Sequence, residues 1–311
     1  MVDLIFFGII ISLRNIPYMK NLIFDISPLA YRWLFSDLND VKMLGMNILR
    51  SKLLRNLIFT VEKFNPDKVY ICFDCQGSNW RKQKYNFYKA HRAELREKQD
   101  VNWQEFFDFV NSFYDELRIY IPFVSLRHDK LEADDIAAHL VRRFSNDTNT
   151  IITNDSDYLQ LLKYKNVTVI NALSGKKMEC DSPKRFLETK ILTGDKSDNI
   201  PAVRARCGPA TAEDLIDSGE IYKLLEEKDA DGNPKEIKRN YDRNTELIDL
   251  ENTPEDLLMS LENLIDDYKM ADTKLLTTYI RDNSLRDLFD NISSVRRILN
   301  KLVQQESQVT L

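Results

Sequence analysis

Apolar runs that break off at an acidic residue recur along this chain. NLIFDIS (21–27) is β-rich and carries Asp25, and KVYICFD (68–74) is apolar almost throughout and ends in Asp74. IPFVSL (121–126), NTIIT (149–153) and NVTVI (166–170) are further short apolar runs, and NTIIT stops just before Asp155 and Asp157. Between these runs the period lengthens. Val41, Leu44, Ile48, Leu54, Leu57, Ile58 and Val61 recur at helical spacing, as do the apolar residues of WQEFFDFVNSFYDEL (103–117). LEADDIAAH (131–139) opens an amphipathic helix with Leu131, Ile136, Ala137 and Leu140 on its apolar side. Apolar strands alternating with helices predict an α/β fold whose parallel sheet is covered on both faces. Ligands of such a sheet lie beyond the carboxyl ends of its strands. From about residue 183 onward the pattern is helical, with no further convincing strand.

The acids gather where that architecture would converge. Glu132, Asp134 and Asp135 fall within four positions, and TGDKSDNIP (193–201) adds Asp195 and Asp198. With Asp25, Asp74, Asp155 and Asp157 they form a set of nine remote in sequence but brought to one rim by the predicted sheet. Like charges this close repel, and burying them costs more. Two readings follow: solvated acids at helix and strand ends, or carboxylates held together by cations. Oxygen-only ligands suit hard ions, Mg²⁺ with Mn²⁺ able to substitute. Two such ions roughly 4 Å apart can hold a phosphodiester. His91, His128 and His139 lie outside the set, which disfavours zinc, and no Ser-His-Asp or Cys-His arrangement competes with it.

Bulk composition narrows the classes. The 311 residues are 43% hydrophobic and 30% charged, as in a soluble globular protein, and 8 Gly and 9 Pro suit a helix-rich chain. A net charge of −5 excludes a globally basic nucleic-acid binder but leaves room for a local basic patch. Four cysteines do not make a disulfide framework in a chain of this length, so a reducing, cytoplasmic setting is expected. Cys72 and Cys75 form a C-x-x-C without a second pair, which reads as buried strand residues or as a redox or zinc site. LIFFGIIISL (4–13) is too short to span a bilayer and lacks a positive n-region. For residues 1–18 three readings stand: a leader upstream of a true start at Met19, an extension that docks on a partner, or a membrane-directing segment.

The basic patch is found at 79–98, NWRKQKYNFYKAHRAELREK. Arg81, Lys82, Lys84, Lys89, Arg92, Arg96 and Lys98 outnumber Glu94 and Glu97, with Trp80, Tyr85, Phe87 and Tyr88 interleaved. Cations neutralise phosphates and aromatic faces stack bases. Alone, the stretch fits a solvated helix face with buried aromatics equally well.

Together NLIFDIS, CFD, WRKQKYNFYKAHR, LEADDIAAH, TNDSDYLQLL and TGDKSDNIP resemble the 5′→3′ exonuclease/flap endonuclease family, from about Asn21 to Ala212. The resemblance implies a PIN-like nuclease domain at 19–182 with a helical arch near 77–100. It also implies an all-helical C-terminal DNA-binding part at 183–311 with a helix-hairpin-helix type segment near 195–218. Members cleave flapped, nicked or 5′-ended duplex DNA and remove RNA primers from RNA–DNA hybrids, which implies a part in phage DNA replication or repair. By motif, Asp25, Asp74, Glu132, Asp134 and Asp135 would build one Mg²⁺ site, and Asp155, Asp157, Asp195 and Asp198 a second, some through water. Lys89 and Arg92 would act on the scissile phosphate. Arg81, Lys82, Lys84, Tyr88, Arg96, Arg204 and Arg206 would contact nucleic acid, Tyr88 by stacking. One departure is clear: where members often carry a Gly-x-Gly hairpin, this chain reads AVRARCGPATAEDL (202–215), with Arg204 and Arg206 at positions where small residues are usual. A monomer working in the host cytoplasm, with a sliding clamp or single-strand-binding protein as possible partner and no membrane partner, completes the expectation. The rival readings are a small-substrate metal phosphohydrolase, which would not need 79–98, and a non-catalytic DNA-structure binder.

Overall fold

Leu22, Ile23 and Phe24 are consecutive and all fully buried. Neighbouring strand residues point to opposite faces, so this requires cover on both sides of the sheet. In the computed structural model, which describes residues 18–309, six strands supply that sheet: β1 (Lys20–Asp25), β2 (Lys68–Phe73), β3 (Val124–Arg127), β4 (Thr148–Thr153), β5 (Val167–Asn171) and β6 (Lys177–Met178). The order is β3-β2-β1-β4-β5-β6, parallel except for the short β6. Asp25 pairs in register with Cys72, and Phe24 with Ile152. The order reverses direction between β1 and β4, so the two ends that flank this switch point are those of Asp25 and Thr153.

Leu22, Phe24, Val69, Ile71 and Phe73 face one layer, made by helices Ile26–Ser36, Asn47–Phe64, Trp103–Tyr120 and the last helix, Ile292–Val309. Ile23, Tyr70, Cys72, Leu126, Ile151 and Val169 face the other, made by helix Ala133–Arg143, Tyr158 and Leu161, and helix Glu255–Asp266. The first helix begins at the residue after Asp25, so the run 21–27 is strand only to Asp25. Asp25 caps that helix, accepting from Ser27 N at 3.3 Å.

Between these layers and the C-terminal helices lies a smaller core of Leu192, Val203, Cys207, Ala212, Leu215 and Ile221. It joins helix Pro183–Thr193 to helix Pro209–Asp217, the second of which lies in the segment near 195–218 expected to be a hairpin. Residues beyond it return to the sheet: Leu257 and Leu261 cover one face, and Val295, Leu299 and Leu302 the other. Residues beyond 183 thus build the smaller core and also help to cover both faces of the sheet. The apolar run 4–13 lies outside the described residues. Among the described residues no helix is long and apolar enough to cross a membrane.

Candidate active site

Five separated segments deliver the acids to the carboxyl rim of the sheet. Asp25 ends β1 and is 5% exposed. Asp74 follows β2 and accepts from Ala133 N at 2.9 Å, which ties it to the start of helix Ala133–Arg143. That helix begins with a reciprocal cap between Glu132 and Asp135. Asp155 caps the 3₁₀ turn Ser156–Lys163 by accepting from Asp157 N at 2.9 Å. Asp195 and Asp198 belong to a tight loop closed by paired backbone bonds between Asp195 and Ile200, both 2.8 Å. Gly194 sits there at φ +68, where a Cβ would collide with the carbonyls of Ile200 and Pro201.

Asp134, Asp155, Asp157, Asp195 and Asp198 line one cavity of about 640 Å³, together with Lys89, Arg92 and Lys190. Asp74 and Glu132 line an adjoining cavity of about 420 Å³, which Lys89 and Arg92 also border. Asp25 lies beneath them: burial, then Asp74 and Asp155, push its carboxyl well above the usual range. Burial, aided by Asp135 and Glu132, does the same to Asp134 against the pull of Arg81. Asp157 is pushed up to about 6, by burial and by Asp155, despite Lys190. Glu132 goes the other way. Burial opposes its charge, but Lys89 and Arg81 outweigh burial and hold it at about 2. Lys190 likewise outweighs burial at Asp195 and keeps that carboxyl low.

Lysines and arginines sit between the acids. Lys190 bridges Asp157 and Asp195, the latter at 2.8 Å. Lys89 bonds Glu132 and stands 3.8 Å from Asp198, which Arg92 reaches at 2.7 Å. The backbone supports this placement: Lys89 N donates to Asp198 O at 2.8 Å, and Asn199 Nδ2 to Phe87 O at 2.8 Å. The 85–92 stretch is thereby seated on the 195–199 loop. Among the described residues no three acids gather closely enough to clasp one ion unaided.

This rim of acids, reached from strand ends at a switch point, coincides with a matched family. Residues 20–196 match the model of the 5′-3′ exonuclease, N-terminal resolvase-like domain. The chain belongs to this 5′–3′ exonuclease family. The chain is 27% identical over 288 residues to ribonuclease H of Enterobacteria phage T4, which covers 86% of this chain and 93% of the relative. It is 32% identical over 186 residues to the 5′-3′ exonuclease of Bacillus subtilis, covering 60% of that protein. It spans only a quarter of the DNA polymerase I of Caldicellulosiruptor bescii, at 31% identity. Among solved structures, the bacteriophage T5 flap endonuclease in a complex with DNA and metal ions superposes with a TM-score of 0.59 at 17% identity, over 91% of this chain and 98% of that one. That likeness establishes the fold: a PIN-type α/β domain followed by a helical part.

Within the exonuclease domain three sequence expectations change. Arg81 does not reach out to nucleic acid. It is 1% exposed, lies over the Trp80 ring at 4.7 Å and donates to Leu247 O, Glu132 and Asp135 at 2.8, 3.1 and 2.8 Å. Tyr88 does not offer a stacking face. It is 2% exposed, and its hydroxyl donates to Glu132 at 2.7 Å and lies 3.1 Å from Asp198. Asp135 is fully buried and accepts from Arg81, Trp80, Thr253 and Glu132 N, so it buttresses Glu132 from below the rim and has no oxygen left for an ion. Lys82, Lys84, Arg204 and Arg206 are exposed, and Arg96 is half-buried. Arg206 holds the left-handed conformation, φ +58, which favours glycine over a residue with a side chain. Burial, then Glu132 and Asp74, push the Cys75 thiol up to about 12, which leaves no thiolate for redox work. The sequence reading missed Lys190 altogether. Its only sequence signal is a place one helical turn before Gly194-Asp195.

Proposed function

We propose that this chain is a divalent-metal-dependent 5′ nuclease that hydrolyses phosphodiesters at 5′ flaps, nicks and 5′ ends of duplex DNA, and in RNA–DNA hybrids. Mg²⁺ is the proposed ion, two per site, with Mn²⁺ able to substitute. The observation that carries the reading is the cavity itself: five carboxylates from three chain segments, with lysines and an arginine set among them. The donor set fits hard cations, since every candidate ligand is a carboxylate oxygen and Asp134 and Asp157 are made protonation-prone by burial and, less, by neighbouring carboxylates. Asp25, Asp74, Glu132 and Asp134 would hold one ion and Asp155, Asp157, Asp195 and Asp198 the other, in part through water. When bound, such ions supply the charge that activates a water and stabilises the leaving oxygen.

The remaining roles fall to this chain's own side chains. Lys89 and Arg92 border both cavities, so a phosphate lying over the acids takes their N–H groups in exchange for Glu132 and Asp198. Donors already in place where charge develops stabilise the transition state. Arg81 and Asp135 hold Glu132 in position from beneath. Lys82, Lys84, Arg96, Arg204 and Arg206 are the proposed contacts for the nucleic-acid backbone, Lys82 and Arg96 from the border of the smaller cavity. A clamp or single-strand-binding partner would dock away from this face.

The test is a Mg²⁺ titration on a labelled 5′-flap duplex, with an RNA–DNA hybrid in parallel. Cleavage that rises with Mg²⁺ and disappears with excess chelator or in Asp134→Asn supports the reading. Undiminished cleavage in excess chelator, or binding without turnover at every Mg²⁺ concentration, overturns it. Reversing Lys82, Lys84 and Arg96 to Glu separates the phosphohydrolase alternative, which would keep its full rate.

A further inference from the structure

Beside the acids lies a third cavity of about 460 Å³, bordered by Asp74, Cys75, Arg96, Phe107, Asn111 and Arg127 among others. Asp74 and Arg96 also border the neighbouring cavity of Lys89, Arg92 and Glu132, so the two form one trough leading away from the acid rim. Arg127, the last residue of β3, is unlike the cations over the acids. It makes no ion pair among the described residues, its Nε is buried without a hydrogen-bond partner, and it lies over the rings of Tyr114 and Phe73 at 4.3 and 5.2 Å. Burial lowers its pKa, and Asp115 and Asp74 only partly compensate. Arg96 repeats the arrangement. It lies over Phe107 at 5.4 Å and donates to the Arg92 carbonyl at 3.2 Å, with no carboxylate partner among the described residues.

A guanidinium held by ring faces keeps its N–H edges for an anion, and a forked donor suits phosphate. A half-buried guanidinium that no carboxylate contacts directly is better satisfied when an anion completes it. The cavity volume falls in the range that encloses a small ligand. We infer that this trough is a subsite for one nucleotide of the single-stranded arm of a flapped substrate, with Arg127 and Arg96 on its phosphate. The inference rests on the 5′-nuclease reading above and adds to it where the arm runs and which arginines hold it. Sequence reading gave no hint of Arg127, which stands outside the basic stretch.

The experiment compares cleavage of a nicked duplex with duplexes bearing arms of one to ten nucleotides, for wild type, Arg127→Leu and Arg127→Lys. Affinity for the same DNAs in Ca²⁺ is measured alongside by fluorescence anisotropy. The flap-to-nick ratio, in both rate and affinity, falls at least tenfold in Arg127→Leu, and less in Arg127→Lys, which keeps the charge. An unchanged ratio in Arg127→Leu overturns the subsite. So does an equal loss on nick and flap, which marks Arg127 as a merely structural residue. A wild type that binds flaps without cutting them overturns the nuclease reading alone, and the affinity ratio still decides the subsite.

Discussion

Replacing Asp157 by Asn should stabilise the metal-free protein while abolishing its activity. The carboxyl is raised from 3.8 to about 6 with only 18% of the side chain exposed. At pH 7, above both values, ionising it in the folded chain therefore costs about 3 kcal/mol more than in the unfolded chain, at about 1.4 kcal/mol per pH unit. Asn mimics the protonated form and escapes that cost. Its gain at pH 7 is up to about 3 kcal/mol, or about 6 °C in Tm for a chain of this size. The sign follows from linkage. A carboxyl raised on folding favours the folded state fully below its unfolded value, and that contribution is lost as pH rises through about 6. The advantage of Asp157→Asn over wild type should thus be largest at pH 7 and close as pH falls toward 4.

Urea unfolding in chelator at pH 4.5, 5.5, 6.5 and 7.5 measures the gap directly. A flap-cleavage assay on the same preparations supplies the other half. Divalent ion should also raise the wild-type midpoint at pH 7 by relieving the same repulsion, with little effect on the variant. An Asp157→Asn protein that is less stable than wild type at every pH, or a gap that does not narrow on acidification, would refute the argument that these acids are held together against their own charge. Retained cleavage would refute the role of Asp157 in holding an ion.

Three further outcomes bear on the same arrangement. Arg81→Met strips the buried partner from Glu132 and Asp135 and should cost about 3–5 kcal/mol in urea melts; Arg81→Lys should not restore it, because an ammonium cannot reproduce the fork. Lys89→Ala should lower the single-turnover rate about 100-fold with little change in DNA affinity, and a loss confined to affinity would remove it from the transition state. Gly194→Ala places a Cβ against the Ile200 and Pro201 carbonyls at a positive φ, so it should lower stability by more than 1 kcal/mol and reduce cleavage with it, whereas a neutral effect on both would mean that the 195–198 loop is not held as described.

The parts of this fold that could be read beforehand share a physical cause. Strands covered on both faces must be apolar throughout, so β1, β2 and β4 announce themselves, and the acids that end them mark the rim without any knowledge of contacts. The helix Ile26–Ser36 did not, because it starts on the residue after Asp25 and inherits the strand's apolar run. Direction of burial was hidden for a different reason. Arg81 and Lys82 are adjacent cations in one five-residue helix, yet Arg81 is buried and Lys82 exposed. What separates them is Glu132 and Asp135, fifty residues on, together with a carbonyl at Leu247.

The same reasoning explains why Lys190, Tyr88 and Arg127 escaped notice or were misjudged. Composition reports how many cations a stretch holds, but their work depends on the opposite charges that the fold sets against each one. Where acids crowd, as at Glu132 and Asp195, lysine and arginine are drawn in and their partners' charge is neutralised. Where the fold seats the guanidinium on aromatic rings and no acid pairs with it directly, as at Arg127, the cation keeps its capacity for a polyanion. Charge that is paired in the resting chain can be exchanged for phosphate only at the cost of releasing a carboxylate. On the proposed reading, the rim carboxylates would hold divalent ions as Lys89 and Arg92 turn to the phosphate, which would make that release possible. Along the trough no such exchange is required, so an arm should be drawn toward Arg127 and Arg96 before the scissile phosphate settles over the acids. Arg127→Leu should accordingly slow flap association measured by stopped-flow, and an unchanged association rate would show that the arm enters by another route.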